Sequence, residues 1–485
     1  MKVLIVNPKT EEQGKPQLYM SLLYLATAVE KAGHKVKVFD YQIEDCSDNV
    51  KKFSGESDCI ALTVMSDQIK SAVELSDIAK SMNPDIKVVW GGHHPSLFPV
   101  QTVEDKSVDF VVKGEGETAI VELLEHLEGK RKKVDVSGLA YMTSSGAKIN
   151  TERSPIDINV FSPPSWHLMK MEKYIGEFSI AGRNFGRYIP VHSGRGCPHR
   201  CSFCINTTLK YRRWRPLSAE NIVNEIKLLK KTYGVSFFKF VDENFFLDRE
   251  RIKKFCSMLI DQKIQIKWHA TCRANYFRKS WMDDNLLRLV KKSGCSVIGM
   301  GIESGSVRIL ELLKKDITVD DAVNAVRRCA EHDIIPVCSF MTGLPTEKKE
   351  DIRKTLNLIN ELKKMNGNTV VIGPQIFRPY PGCDLYELIK ETIVEPTSLR
   401  GWMNAKMISG FYTPDRLKWI ENPKYLITMS FFMQLAESSS SSFIIRLFKL
   451  PFKKSARFRM NHSLLGFPVE KAIFETLKKL YMKAI

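Results

Sequence analysis

Along residues 1 to about 128, short aliphatic and β-branched runs alternate with stretches whose apolar positions recur every three to four residues. Residues 3–7 predict a buried strand. Leu18, Leu22, Leu25, Val29 and Ala32 then share one helical face, which Gly33 ends. Further strands are predicted at 35–40, 58–64, 86–90 and 108–112, with helices between most of them. Repeated βα units of this length predict an open parallel sheet with right-handed crossovers.

The pattern loosens at about 129–188, a connector with a basic run at 130–133, a hairpin around Ser144-Ser145-Gly146, and Pro155, Pro163 and Pro164 in irregular chain. From about 189 to 390 the alternation resumes, with strands predicted at 189–192, 237–241, 265–270, 296–300, 334–340 and 369–377. The first helix between them has Ser218 as its cap and Ile222, Val223, Ile226 and Leu229 as its apolar face. The pattern predicts an α/β fold: an open parallel, Rossmann-like N-terminal sheet, then a partial (β/α)6 barrel. Residues 391–485 are expected to make a mainly helical, basic C-terminal region.

Composition narrows the classes. A chain of 485 residues suggests two or three domains, and a hydrophobic fraction of 44% supplies an ordinary globular core. Eleven cysteines in a chain this long are not a small secreted disulfide scaffold. The first apolar run is too short for a signal peptide, and no run is long enough to span a bilayer, so the expected location is the cytoplasm. A net charge of +18 raises nucleic acid or an anionic membrane as a partner without choosing between them.

Chemistry concentrates in Gly194-Arg195-Gly196-Cys197-Pro198-His199-Arg200-Cys201-Ser202-Phe203-Cys204, three thiols at C-x3-C-x2-C spacing. Three thiolates on one loop hold three irons of a four-iron cube and leave the fourth open. Structural zinc is the competing reading, but it needs four ligands and no second pair follows to complete them. With Phe203 before the third cysteine, the motif resembles the signature of the radical S-adenosylmethionine (radical SAM) enzymes. That resemblance implies a [4Fe–4S] cluster on Cys197, Cys201 and Cys204, with SAM on the open iron.

The later strand ends agree with it. The resemblance assigns to SAM Phe203, Asp242, Glu243 and Asn244 after the second barrel strand, Arg273 after the third, Glu303 and Ser304 after the fourth, and Gly343 after the fifth. For Arg273 and Glu303 the alternative is a structural ion pair with each other. Arg378-Pro379-Tyr380-Pro381-Gly382-Cys383 resembles the Pro-Tyr-Pro-Gly-Thr of one branch, with Cys383 for Thr. A thiol there is a candidate catalytic group, and space filling is the alternative. Cys256, Cys295, Cys329 and Cys338 have no ligand spacing and read as core thiols.

That branch carries an N-terminal cobalamin domain. The opening Asn-Pro, the helix from Leu23 to His34, Gly-Gly-His-His-Pro and Gly-Glu-Gly-Glu resemble it, so Asn7, Ser66, Gly91, Gly92, His93, His94, Glu115 and Gly116 are the expected cobalamin contacts. The D-x-H-x-x-G motif that gives cobalt a histidine is absent. The resemblance implies a methyltransferase, or a cyclase or oxidase with the same cofactors, fed by an external flavodoxin- or ferredoxin-type reductant. An RNA-modifying protein is the alternative from another class, disfavoured because no RNA-binding motif is appended. At 443–460, basic residues interleave with apolar ones. That stretch reads as a peripheral contact with the inner membrane face, a domain-covering helix or a nucleic-acid contact, and it points toward a lipid-like small-molecule substrate.

Overall fold

A computed structural model describes residues 1–10, 15–161, 163–209, 212–404, 414–437, 454–456 and 458–459. Its first sheet contains β1 (Lys2–Asn7), β2 (Lys35–Asp40), β3 (Cys59–Thr63), β4 (Lys87–Gly91), β5 (Phe110–Val112), β6 (Leu139–Thr143) and β7 (Gly146–Ile149), in the order β2-β1-β3-β4-β5-β6-β7. Strands β1 to β5 are parallel, and the β6–β7 hairpin adds antiparallel. The hairpin expected in the connector therefore extends this sheet beyond residue 128.

Both faces of the sheet are buried, and the strand period of two assigns alternate residues to different cores. Leu4 and Val6 pack with Val73 and Ala79 of the helix Ile69–Met82. Val3 and Ile5 pack with Leu22 and Ala26 of the helix Met20–Lys31 and with Leu123 of the helix Gly116–Leu127. That second core continues into the other half of the molecule through Trp166, Met171 and Ile222.

The second sheet is the partial barrel. It contains β8 (Gly176–Ile180), β9 (Arg183–Val191), β12 (Phe237–Phe240), β13 (Lys267–Cys272), β14 (Cys295–Glu303), β15 (Ile335–Thr342) and β16 (Val370–Ile376), in the order β16-β15-β14-β13-β12-β9-β8. A two-residue pair, β10 (Gly194–Arg195) with β11 (Arg215–Pro216), closes the base of the cysteine loop. All neighbours from β9 to β16 are parallel, and β8 adds antiparallel at one edge. Trp268, fully buried, packs among Phe240, Phe245, Phe246 and Phe255.

After the barrel the chain covers both halves. The short helix Leu399–Trp402 returns to the first sheet's outer core, where Arg400 donates to Asp77 at 2.9 Å and to Asp105 at 2.7 Å. The helix Pro423–Glu437 then packs Leu426, Met429 and Phe432 into the core beside β16. Among the described residues no helix is long and apolar enough to cross a membrane. Residues 443–453, 457 and 460 of the basic stretch lie outside the described residues. Within the remainder, Ala456 is buried and the Arg459 guanidinium lies 5.6 Å from the Phe432 ring.

Candidate active site

The cysteine loop leaves the C-terminal end of β9 and is held from three sides. Ser202 donates through its backbone to Leu313 O (3.0 Å) and through its hydroxyl to Leu312 O (2.8 Å), and its own carbonyl accepts from Leu385 N (3.0 Å). His199 Nε2 and Tyr276 Oη are 2.8 Å apart, and burial lowers that imidazole to about 4, so it is neutral near pH 7. Burial also pushes the Cys197 thiol up and Cys204 to about 11, and the charge of Cys201 acts in the same direction. Three thiolates there need positive charge beside them, which bound iron supplies.

Among the described residues, no three His, Cys, Asp or Glu side chains converge on one metal-ion point. A cube instead takes one thiolate per iron. Arg273 strengthens the fit, because its Nη1 lies 3.6 Å from Cys201 Sγ while its Nε and Nη2 are buried without partners. Asn244 behaves similarly. Its amide nitrogen donates to Tyr276 Oη at 3.2 Å and its buried Oδ1 accepts nothing, which suits a ligand ammonium. Unpaired buried donors beside an unpaired acceptor match an amino-acid zwitterion in opposite senses of charge.

Other residues expected at SAM are engaged elsewhere. The Asp242 carboxylate accepts from Ser193 N (2.6 Å) and Ser193 Oγ (2.5 Å), and Arg251 donates to the same Ser193 hydroxyl at 2.5 Å. Burial raises Asp242 to about 6, and its side chain serves the floor of the loop rather than a ligand. Ser304 is fully buried against Thr355 Oγ1 at 3.0 Å. At Gly343, the backbone N–H donates to Glu347 at 2.5 Å and the carbonyl accepts from Trp419 Nε1 at 2.9 Å, so both groups are occupied.

Glu303, with a left-handed φ of 67°, pairs with Lys315 at 2.8 Å and not with Arg273. Lys315 also lies 5.6 Å from the Phe203 ring centroid. Cys383 is fully buried with Phe377, Leu385 and Tyr386, and burial raises its thiol. That packing is what a space-filling thiol shows.

Above the loop lies a cavity of about 480 Å³ bounded by both halves of the molecule. Asn7, Gly91, Gly92, His93, Glu115 and Gly116 line it from the first sheet, and Gly194, Gly196 and Glu243 from the barrel. At Gly92, φ is +101° and a Cβ would lie 2.8 Å from Val64 O, so only glycine lets the backbone form this wall. Asn7 is fixed between Asp40 (2.8 Å) and Gln68 (2.9 Å).

Neighbouring histidines diverge. His93 faces the cavity, whereas His94 is fully buried between Phe98 and Trp402 with its Nδ1 3.1 Å from Ser66 Oγ. Ser66 thus supports the wall from behind. Glu115 reaches the cavity, yet its carboxylate is held by Arg215 at 2.5 and 2.8 Å. A large flat cofactor approached by backbone glycines fits this wall better than one ligated by side chains.

Comparison with known proteins agrees with both halves. Residues 191–359 match the Radical SAM superfamily, and residues 18–124 match the B12 binding domain. The chain carries both a radical SAM domain and a B12-binding domain. Its cofactors are a [4Fe–4S] cluster, SAM and cobalamin.

It is 29% identical over 451 residues to an uncharacterised methyltransferase of Pyrococcus horikoshii, covering 88% of this chain and 94% of that one. An anaerobic magnesium-protoporphyrin IX monomethyl ester cyclase of Rubrivivax gelatinosus is 26% identical, with 81% and 71% covered. Among solved structures, the cobalamin-dependent radical enzyme OxsB with aqua-cobalamin and SAM bound superposes at a TM-score of 0.74, with 19% identity over 99% of this chain and 75% of that one. This last likeness supports the fold of the radical SAM enzyme described here.

Sequence reasoning missed the bridge across the cavity. Arg195 donates to Glu117 at 2.6 Å and stacks 4.8 Å from the Tyr24 ring, tying the cysteine loop to the first sheet's turn. Both partners were visible as Gly-Arg-Gly-Cys and Gly-Glu-Gly-Glu, but nothing local pairs residues 78 positions apart.

Proposed function

We propose that this enzyme transfers a methyl group to an unactivated carbon of a small, largely uncharged or lipid-like substrate. The observation that carries the reading is the single cavity lined at once by the glycine edge of the first sheet and by Gly194, Gly196 and Glu243 beside the cysteine loop. When bound, the cluster and SAM supply a 5′-deoxyadenosyl radical and cobalamin supplies the methyl group, so both must reach one substrate carbon.

The chain's own part is orientation. Arg273 and Asn244 offer a carboxylate and an ammonium their missing partners, and Gly91 and Gly92 present backbone on the opposite wall, Gly92 packed against the Val64 backbone. Tyr24 and Arg195 stand between the walls. The methyltransferase name of the Pyrococcus horikoshii relative supports this reading. An external one-electron donor of flavodoxin or ferredoxin type, and a cytoplasmic setting with contact to the membrane face through 443–460, complete the proposal.

The test is anaerobic turnover of the reconstituted enzyme with SAM, cobalamin, reductant and candidate metabolites, quantifying 5′-deoxyadenosine and S-adenosylhomocysteine. Methyl transfer yields the two in comparable amounts. Deoxyadenosine without the homocysteine product would overturn methyl transfer and favour the cyclase or oxidase reading that the Rubrivivax gelatinosus relative represents.

A further inference from the structure

A second chamber of about 300 Å³ opens beside the main cavity, between the connector and the helix Ala219–Tyr233. Phe161, Pro163, Pro164 and Leu217 give it apolar walls, and Asn221 and Asn224 add amides. Tyr24, His192 and Arg195 line both spaces. The Tyr24 and His192 rings lie nearly parallel, with centroids 6.0 Å apart, as a thin partition.

Three buried polar atoms on residues lining this chamber have no hydrogen-bond partner: Glu225 Oε1, His192 Nδ1 and Trp166 Nε1. Buried polar atoms ordinarily find partners, so three around one space call for an occupant that offers donors and acceptors. The charge of that occupant is also constrained. Arg195, the cation of the partition, is already paired with Glu117 and Glu115. Burial, with no ion-pair partner to oppose it, raises Glu225 to about 8, and burial lowers His192 to about 3, so near pH 7 both are uncharged.

We propose that this chamber is a binding subsite for an uncharged amide- or heterocycle-like group on an apolar ring, forming the end of the substrate remote from the reacting carbon. Its role as a substrate subsite rests on the methyl-transfer reading; its ability to bind such a group does not. It lies outside the expected cofactor contacts, and Tyr24, His192 and Arg195 alone are shared between its lining and that of the main cavity. Volume alone would admit benzamide, which has nine non-hydrogen atoms.

The experiment is a ligand-observed NMR titration of the full-length reconstituted protein, without turnover, using three isosteric probes: benzamide, benzoate and benzamidine. Benzamide is expected to bind with a dissociation constant on the order of millimolar, ordinary for so few atoms. At pH 6.5 benzoate and benzamidinium should bind at least about tenfold more weakly, as uncharged walls require.

Groups facing Glu225 are Tyr24 from the helix Met20–Lys31 and His192 and Arg195 from the segment after β9. Tyr24 is raised well above its ordinary value by burial, so Glu225 alone titrates between pH 7 and 9. Benzamidinium should therefore gain affinity as pH passes through about 8, and Glu225→Gln should abolish that gain while keeping benzamide binding. Trp166→Phe, which removes only the indole donor and ring bulk, should weaken benzamide several-fold. A chamber filled by water alone would bind none of the probes. That result, equal binding of all three at pH 6.5, or an unchanged pH response in Glu225→Gln overturns the proposal. Fragment binding without any methylated product would leave the subsite standing and sink only the reaction.

Discussion

The two walls of the main cavity solve the same problem by different means. On the barrel side, next to Gly194, Gly196 and Glu243 of the cavity wall, stand three free thiols, of which Cys201 is buried, and Arg273 and Asn244 with buried polar atoms unpaired. Opposite it, the first sheet supplies backbone at Gly91, Gly92 and Gly116, while its polar side chains are satisfied among themselves, as Asn7 is by Asp40 and Gln68. One wall selects by charge and the other by shape. Charge recognition concentrates energy in a few atoms, whereas shape recognition spreads it over an area, so the two should respond very differently to single substitutions.

The sharpest break is expected on the charged wall. Cys201→Ala removes one of three thiolates, and iron content and SAM cleavage should both fall by at least about a hundredfold, measured by iron assay and deoxyadenosine yield. Full iron content with undiminished cleavage would mean the cluster is held elsewhere. Next in size is Gly92→Ala on the shape-selective wall. A Cβ there meets the Val64 backbone at 2.8 Å with φ at +101°, so the melting temperature should drop by an amount corresponding to roughly 1–3 kcal/mol. Cobalamin retention on gel filtration should decline with it, while SAM cleavage by the protein that stays folded changes far less. Equal losses in both would erase the distinction between the walls.

The smallest effect belongs to the bridge. Glu117→Gln should cost about 1–2 kcal/mol in denaturant unfolding at pH 7, since Arg195 keeps Glu115 nearby. Against the opposing effect of burial, Arg195 holds the Glu117 carboxyl below its usual range. Its contribution is therefore complete above the unfolded-state value and is lost as pH falls through the lower folded one. The stability gap between wild type and variant should close in acid below about pH 4.5, the ordinary glutamate value. A gap that stays constant to pH 3 would show that shape, not charge, is lost in the variant.

This contrast also explains what could be read from sequence. Both sheets were legible because their strands are short, strongly apolar runs set off by glycines and helical periodicity, and the thiol triplet was legible because its spacing is itself the signal. Asp242, Ser304 and His94 were placed at the right strand ends yet point away from the cavity. Direction at a strand end depends on which residue leaves the pleat, and partners such as Ser193, Thr355 and Trp402 lie 49 to 308 positions away. Lys315 carried no motif, because its pairing with Glu303 follows from the backbone turning left-handed there. The burial of Cys383 against Phe377 and Tyr386 was not legible, because sequence alone cannot orient those neighbours.

The return of Leu399–Trp402 to the first sheet has a kinematic meaning. Two bodies joined by a single linker are free to hinge apart, and many enzymes admit substrate that way. Here the connector joins the halves at one end, while Arg400, paired with Asp77 and Asp105, and Trp402, whose indole donates to Gln101 Oε1 at 2.9 Å, join them again at another. A closed linkage of this kind has fewer degrees of freedom than a hinge, so traffic to the interior must use ports in a fixed wall rather than the parting of a jaw.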